Sequence, residues 1–74
     1  MEEDLMYNDE VWNKKIQQFE KMQKIMYDFL KEIESTCRIY NLSISHEDGH
    51  GAFIIEEFKE HNLRWLANAD INFK

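Results

Sequence analysis

The run DEVWNKKIQQFEKMQKIMYDFLKEIESTCRI (Asp9–Ile39) decides how the chain is read. Within it and just beyond, Trp12, Ile16, Phe19, Met26, Leu30, Ile33, Cys37 and Tyr40 recur at steps of three and four, interrupted where Gln23 falls. That period is the apolar seam of an amphipathic helix, or of a heptad coiled coil with one polar residue inside it. Met22, Ile25 and Phe29 widen the stripe on one flank. Asn8 suits an N-cap, Asp9 and Glu10 suit the first turn, and Tyr7 can staple onto Trp12. Glu10/Lys14, Glu20/Lys24 and Glu34/Arg38 are i,i+4 pairs in the favourable order. Neither glycine nor proline occurs before Gly49. The spacing therefore predicts one long helix over residues 9–39.

Such a helix has a consequence for assembly. At about 1.5 Å per residue it spans roughly 46 Å, whereas a compact chain of this length has a radius of gyration of only about 11 Å. The remaining residues cannot cover it, and large apolar stripes are rarely left in water. The expectation is a homodimer through the helix, with Trp12, Ile16, Phe19, Gln23, Met26 and Leu30 at the interface. Gln23 either sets the register of that pairing or marks a solvated bend.

Downstream, NLSISHEDGHGAFIIEEF (Asn41–Phe58) carries Asp48-Gly49, a strong two-residue hairpin signal. With that turn at the tip, Leu42 pairs with Ile55 and Ile44 with Phe53, so four apolar residues share one face, as a half-buried sheet requires. Ser43 and Ser45 then point outward. This predicts a β-hairpin over 41–58 lying on the long helix. Asn62 suits the N-cap of a last short helix, 62–70, with Leu63, Trp65, Leu66 and Ala69 towards the core. The expected fold class is α+β: one domain ordered α-β-β-α behind an acidic segment, 1–8.

Composition narrows the function classes. The net charge is −6, yet Glu2, Glu3, Asp4, Asp9 and Glu10 supply five of the negative charges, and the other residues hold ten acids against nine bases. An acidic cap on a near-neutral body suits a helix N-terminus, and clustered bases for direct nucleic-acid binding are missing from the sequence. The single cysteine, Cys37, excludes an internal disulfide and a multi-cysteine zinc site. On the helix seam it reads as a small buried hydrophobe. The acidic leading segment is unlike a signal or transit peptide, and no apolar run has the length of a membrane span. The expected address is the cytoplasm. A domain this small buries only about 60% of its unfolded surface, and with no disulfide to help, self-association is the expected source of extra stability.

The segment SHEDGH (Ser45–His50) is the densest cluster of chemistry-bearing side chains. His46, Asp48 and His50, with His61 from the following segment, form a candidate metal set, which Glu56 or Glu57 could join. Zinc needs three or four converging ligands, and a strand-and-turn segment does not bring His46 and His50 together as a helix would. Asp48 already has a structural role beside Gly49. The alternative is a turn with a histidine at the edge of the core. No cofactor is expected.

The run SHEDGHGAFIIEEF (Ser45–Phe58), followed by NLRWLANA (Asn62–Ala69), resembles short proteins of phages and prophages of Gram-positive bacteria. The similarity lies in a Ser-His-Glu-Asp-x-His-Gly-x-Phe core and a later Asn-x-x-Trp-Leu. It implies a small cytoplasmic phage protein acting on host or defence machinery, and it transfers no catalytic residue. The function expected from the sequence is a non-enzymatic protein–protein interaction module. It would meet an unidentified protein partner through His46, Glu47, Asp48, His50 and Trp65. Two alternatives stand beside it: a small metal-dependent hydrolase or nuclease using the hairpin tip, and an acidic decoy for a nucleic-acid-binding groove.

Overall fold

The computed structural model describes residues 4–46 and 51–74. Strands β1 (Val11–Asn13) and β2 (Gln18–Glu20) form an antiparallel hairpin, and helix α1 (Lys24–Tyr40) follows. A second antiparallel pair, β3 (Leu42–His46) and β4 (Phe53–Glu57), leads to helix α2 (Glu60–Ala67). The class is α+β, but the order is β-β-α-β-β-α and not the expected α-β-β-α.

The difference lies in residues 9–23, where a hairpin replaces the first half of the expected helix. Val11, Trp12 and Phe19 are β-branched and aromatic, residue types that fit a pleated surface. Trp12 pairs with Phe19 in the register, and their rings meet edge to face at 5.0 Å. The Lys15 amide donates to Asn13 Oδ1 at 2.9 Å, an Asx turn that opens the loop, and Gln17 in the left-handed region (φ 56°) closes it. The C-terminal tail secures the arrangement. Ile71 N–H donates to the Trp12 carbonyl (2.9 Å) and Lys14 N–H to the Ile71 carbonyl (2.7 Å), so the tail bridges to β1 in parallel. Asn13, fully buried, donates its amide to the Phe73 carbonyl at 2.9 Å and to Glu20 Oε2 at 2.5 Å. A helix through residues 9–23 would forfeit all of these long-range bonds.

The break in the heptad at Gln23 is where α1 starts. Gln23 is its extended N-cap residue (φ −72°, ψ 147°), and its side-chain amide donates back to Glu20 Oε1 at 3.1 Å. Asn8, expected as a cap, instead donates to Asn68 Oδ1. Tyr7 sets its ring edge-on to Tyr27 and not onto Trp12. Of the expected ion pairs, Glu34/Arg38 stands on the helix, at 3.0 Å. The 17-residue α1 buries Met26, Leu30, Glu34 and Cys37 and ends at left-handed Asn41, whose N–H bonds the Cys37 carbonyl. Met6, Val11, Leu63, Ala67 and Ile71 complete the core.

The β3–β4 pairing keeps the expected parity but is displaced by two residues. Leu42 pairs with Glu57, Ile44 with Ile55 and His46 with Phe53. Leu42, Ile44, Phe53 and Ile55 do share a face, but it is the outer one. Ser43 is the buried residue of β3, at 1% exposure, while Phe53 is 72% and Ile55 64% exposed. Hydrogen bonding sets this inversion. Ser43 Oγ donates to the Glu57 carbonyl (2.9 Å) and accepts from Lys59 N–H (3.2 Å) and the Asn62 amide (2.9 Å). Asn62 is therefore not the cap of α2, which begins two residues earlier with Lys59 as N-cap; Asn62 is a buried polar anchor inside the helix.

Candidate functional site

The sequence points to the hairpin tip, and of its residues Glu47, Asp48 and His50 lie outside the described ones. His46 ends β3 with its ring between two aromatics, 5.7 Å from Phe53 and 5.8 Å from Trp65, centroid to centroid. Trp65, half-exposed on α2, thus lies against the hairpin at that edge. His61 is exposed on α2. Among the described residues no group of three or more His, Cys, Asp and Glu side chains converges as a metal site would require. Glu56 is engaged in the fold: hydrogen bonds from Asn62, Ser45 and Lys59 hold its carboxyl down to about 2. Glu57 faces outward beside Leu42.

The acidic N-terminal segment is partly committed as well. Asp4 accepts from the Tyr27 hydroxyl and from Met6 N–H (3.1 Å), with Lys31 Nζ at 3.7 Å. The Tyr27 hydrogen bond is the main cause that holds the Asp4 carboxyl below its usual range, and it raises the Tyr27 phenol in turn. This carboxylate docks the segment on α1. Next to it, Asp4, Lys31, Glu34, Arg38, Glu60 and Arg64 line a cleft of about 530 Å³. Asp4, Lys31, Glu34 and Arg38 pair with one another there. Glu34, nearly buried, takes Lys31 Nζ at 2.8 Å and an Arg38 guanidinium N–H at 3.0 Å, which hold its carboxyl below the ordinary range. Arg38 also lies 5.0 Å over the Phe58 ring. These contacts join α1 to the β4–α2 connection.

The expected dimer seam is dispersed. Met26 and Leu30 are buried in the core, Gln23 caps α1, and Trp12 and Phe19 form the outer aromatic pair of the first hairpin, whose loop carries Ile16. Beyond single exposed side chains such as Phe19 and Ile39, two apolar patches lie at opposite ends of α1. One is a groove of about 490 Å³ between the first two turns of α1 and the α2–tail segment. Ile25, Phe29, Leu66, Ile71 and Phe73 line it, and Asp70 and Asn72 are its polar members. Ile25 and Phe29 are each about two-thirds exposed. The other patch is the outer face of β3–β4, continued by Tyr40 at the end of α1; a shallow cleft of about 190 Å³ runs between Tyr40, Leu42, Ile44 and Ile55. One sequence signal points to it. Phe53, Ile54 and Ile55 are consecutive, so β4 is apolar on both faces, and a two-stranded sheet over a small core covers only one of them.

No protein-family model matches the chain, and neither a curated protein nor a solved structure matches it. Among the described residues, no helix is long and apolar enough to cross a membrane.

Proposed function

We propose that the chain is a non-enzymatic protein–protein interaction module that seats an apolar segment of a partner protein in the Ile25–Phe29–Leu66–Ile71–Phe73 groove. One observation carries this: the groove has the volume of a binding site, with walls that are almost wholly apolar and open to water. Sites of roughly 300–1,000 Å³ with apolar walls and a few placed polar groups are typical ligand sites. A trough walled by a helix suits an amphipathic segment with anchors at i, i+3 or i+4. Asp70 in the lining favours a basic residue flanking those anchors. In a phage-encoded protein, the partner would be a host or phage protein.

Selection from a displayed peptide library tests the proposal. The wild-type chain enriches peptides with apolar anchors at helical spacing and Lys or Arg on their flanks. Phe29→Asp, which alters an exposed position and spares the core, enriches none of them. Failure of the wild-type chain to enrich any family of peptides, or equal enrichment by Phe29→Asp, overturns it.

A further inference from the structure

The second patch points to a different occupant. On the outer face of β3–β4 the residues run in three cross-strand pairs: Leu42 with Glu57 at one end, Ile44 with Ile55 in the middle, and His46 with Phe53 at the other end. Tyr40, 70% exposed, extends the patch beside Leu42. The face is apolar at its centre, acidic at one end and imidazole-bearing at the other. With the Ile44–Ile55 pair at its middle, the apolar centre can meet a copy of itself under a two-fold operation.

We infer that this face is the contact between two copies of the chain, packed sheet on sheet about a two-fold axis that crosses the strands at the Ile44–Ile55 pair. Strand directions in the two copies then oppose. Leu42 of each copy then lies over the partner's His46 and Glu57 over the partner's Phe53, and Ile44 and Ile55 meet themselves at the centre, as an isologous interface requires. The area is sufficient. At roughly 200 Å² for a large side chain, the exposed fractions of Tyr40, Leu42, Ile44, Phe53 and Ile55 leave on the order of 500 Å² of apolar surface per copy. A stable interface of standard size buries about 800 Å² per partner, rim included, so the apolar centre supplies most of it and Thr36, His46 and Glu57 supply the rim. Pairing also relieves a weakness of the fold, since an isolated two-stranded sheet is marginal in water without a cover. The inference is independent of the groove at the other end of α1, which this contact leaves open.

The test is solution mass by light scattering behind a sizing column, across a wide range of concentration. The wild-type chain is expected at twice 9.1 kDa, and Ile55→Asp at the monomer mass with an unchanged far-UV spectrum. Phe53→Asp, at the most exposed apolar position of the face, is expected at the monomer mass as well. If Ile55→Asp disturbs the fold, the Phe53 variant, at 72% exposure, carries the test. A wild-type monomer at every concentration overturns the inference, as does a dimer indifferent to Ile55→Asp and Phe53→Asp. Peptide enrichment through Phe29 is read separately, so the two proposals can fail apart.

Discussion

The side-chain amide of Asn13 reaches across sixty residues of sequence to the carbonyl of Phe73, 2.9 Å away. Around that bond the first hairpin and the C-terminal tail become one structure. Asn13 is fully buried, bonds Glu20 as well, and accepts from Lys15 N–H. The tail it holds forms one wall of the apolar groove, through Ile71 and Phe73. The polar anchor and the proposed binding surface are therefore coupled.

Removing that anchor is expected to be costly. Asn13→Ala strips partners from Lys15 N–H, the Phe73 carbonyl and the Glu20 carboxylate together. At about 1–3 kcal/mol for a buried polar group left unpaired, the loss is expected near 2–3 kcal/mol, read as a fall in the urea midpoint. The same variant weakens peptide binding at the groove by loosening the tail. A change in midpoint within error would contradict the role given to Asn13.

The carboxylates set an acid limit on stability. Glu56, Glu34 and Asp4 are all held below their ordinary values in the folded chain, mainly by hydrogen bonds from Asn62, Lys31 and Tyr27 respectively. Groups with depressed folded values contribute stability that is complete above the unfolded value and lost as pH falls through the folded one. The urea midpoint is therefore expected to hold from neutrality down to about pH 5, then to fall steeply below the ordinary carboxylate range near about 4. Glu56→Gln makes that fall shallower. An acid limb identical in wild type and variant would show that Glu56 gains nothing from Asn62.

Cys37 supplies a separate probe of packing. It is buried on the inner face of α1, and burial raises its thiol above the ordinary value. A thiol reagent such as DTNB is expected to react with it slowly in the native chain and at the free-thiol rate in denaturant, because the thiolate is the reactive form. Rapid native labelling would mean that the α1 packing opens readily.

The second half of the fold was more legible in the sequence than the first. The partition of Leu42, Ile44, Phe53 and Ile55 onto one face follows from strand parity, and a two-residue displacement preserves it. Which face is buried does not follow from parity. It depends on Ser43, Asn62 and Lys59 meeting in space, and no local spacing shows that. The first hairpin was hidden for the same reason. Trp12, Ile16 and Phe19 fit a 3.6-residue period as well as they fit a turn between two short strands, and the deciding contacts come from Ile71 and Phe73 at the far end of the chain. The gap at Gln23 was the one local sign that the helix starts late. The groove was illegible because its two walls are separated by some forty residues, whereas the uncovered hairpin face was announced by three consecutive apolar residues in β4.

As proposed, recognition runs through apolar surface and not through the polar hairpin tip. The most direct measurement is a titration of isotope-labelled protein with a selected peptide, followed by backbone amide chemical shifts. The largest shifts are expected at Ile25, Phe29, Leu66, Ile71 and Phe73, with His46 and Gly51 unmoved. Shifts concentrated at His46 through Gly51, with the groove silent, would contradict it.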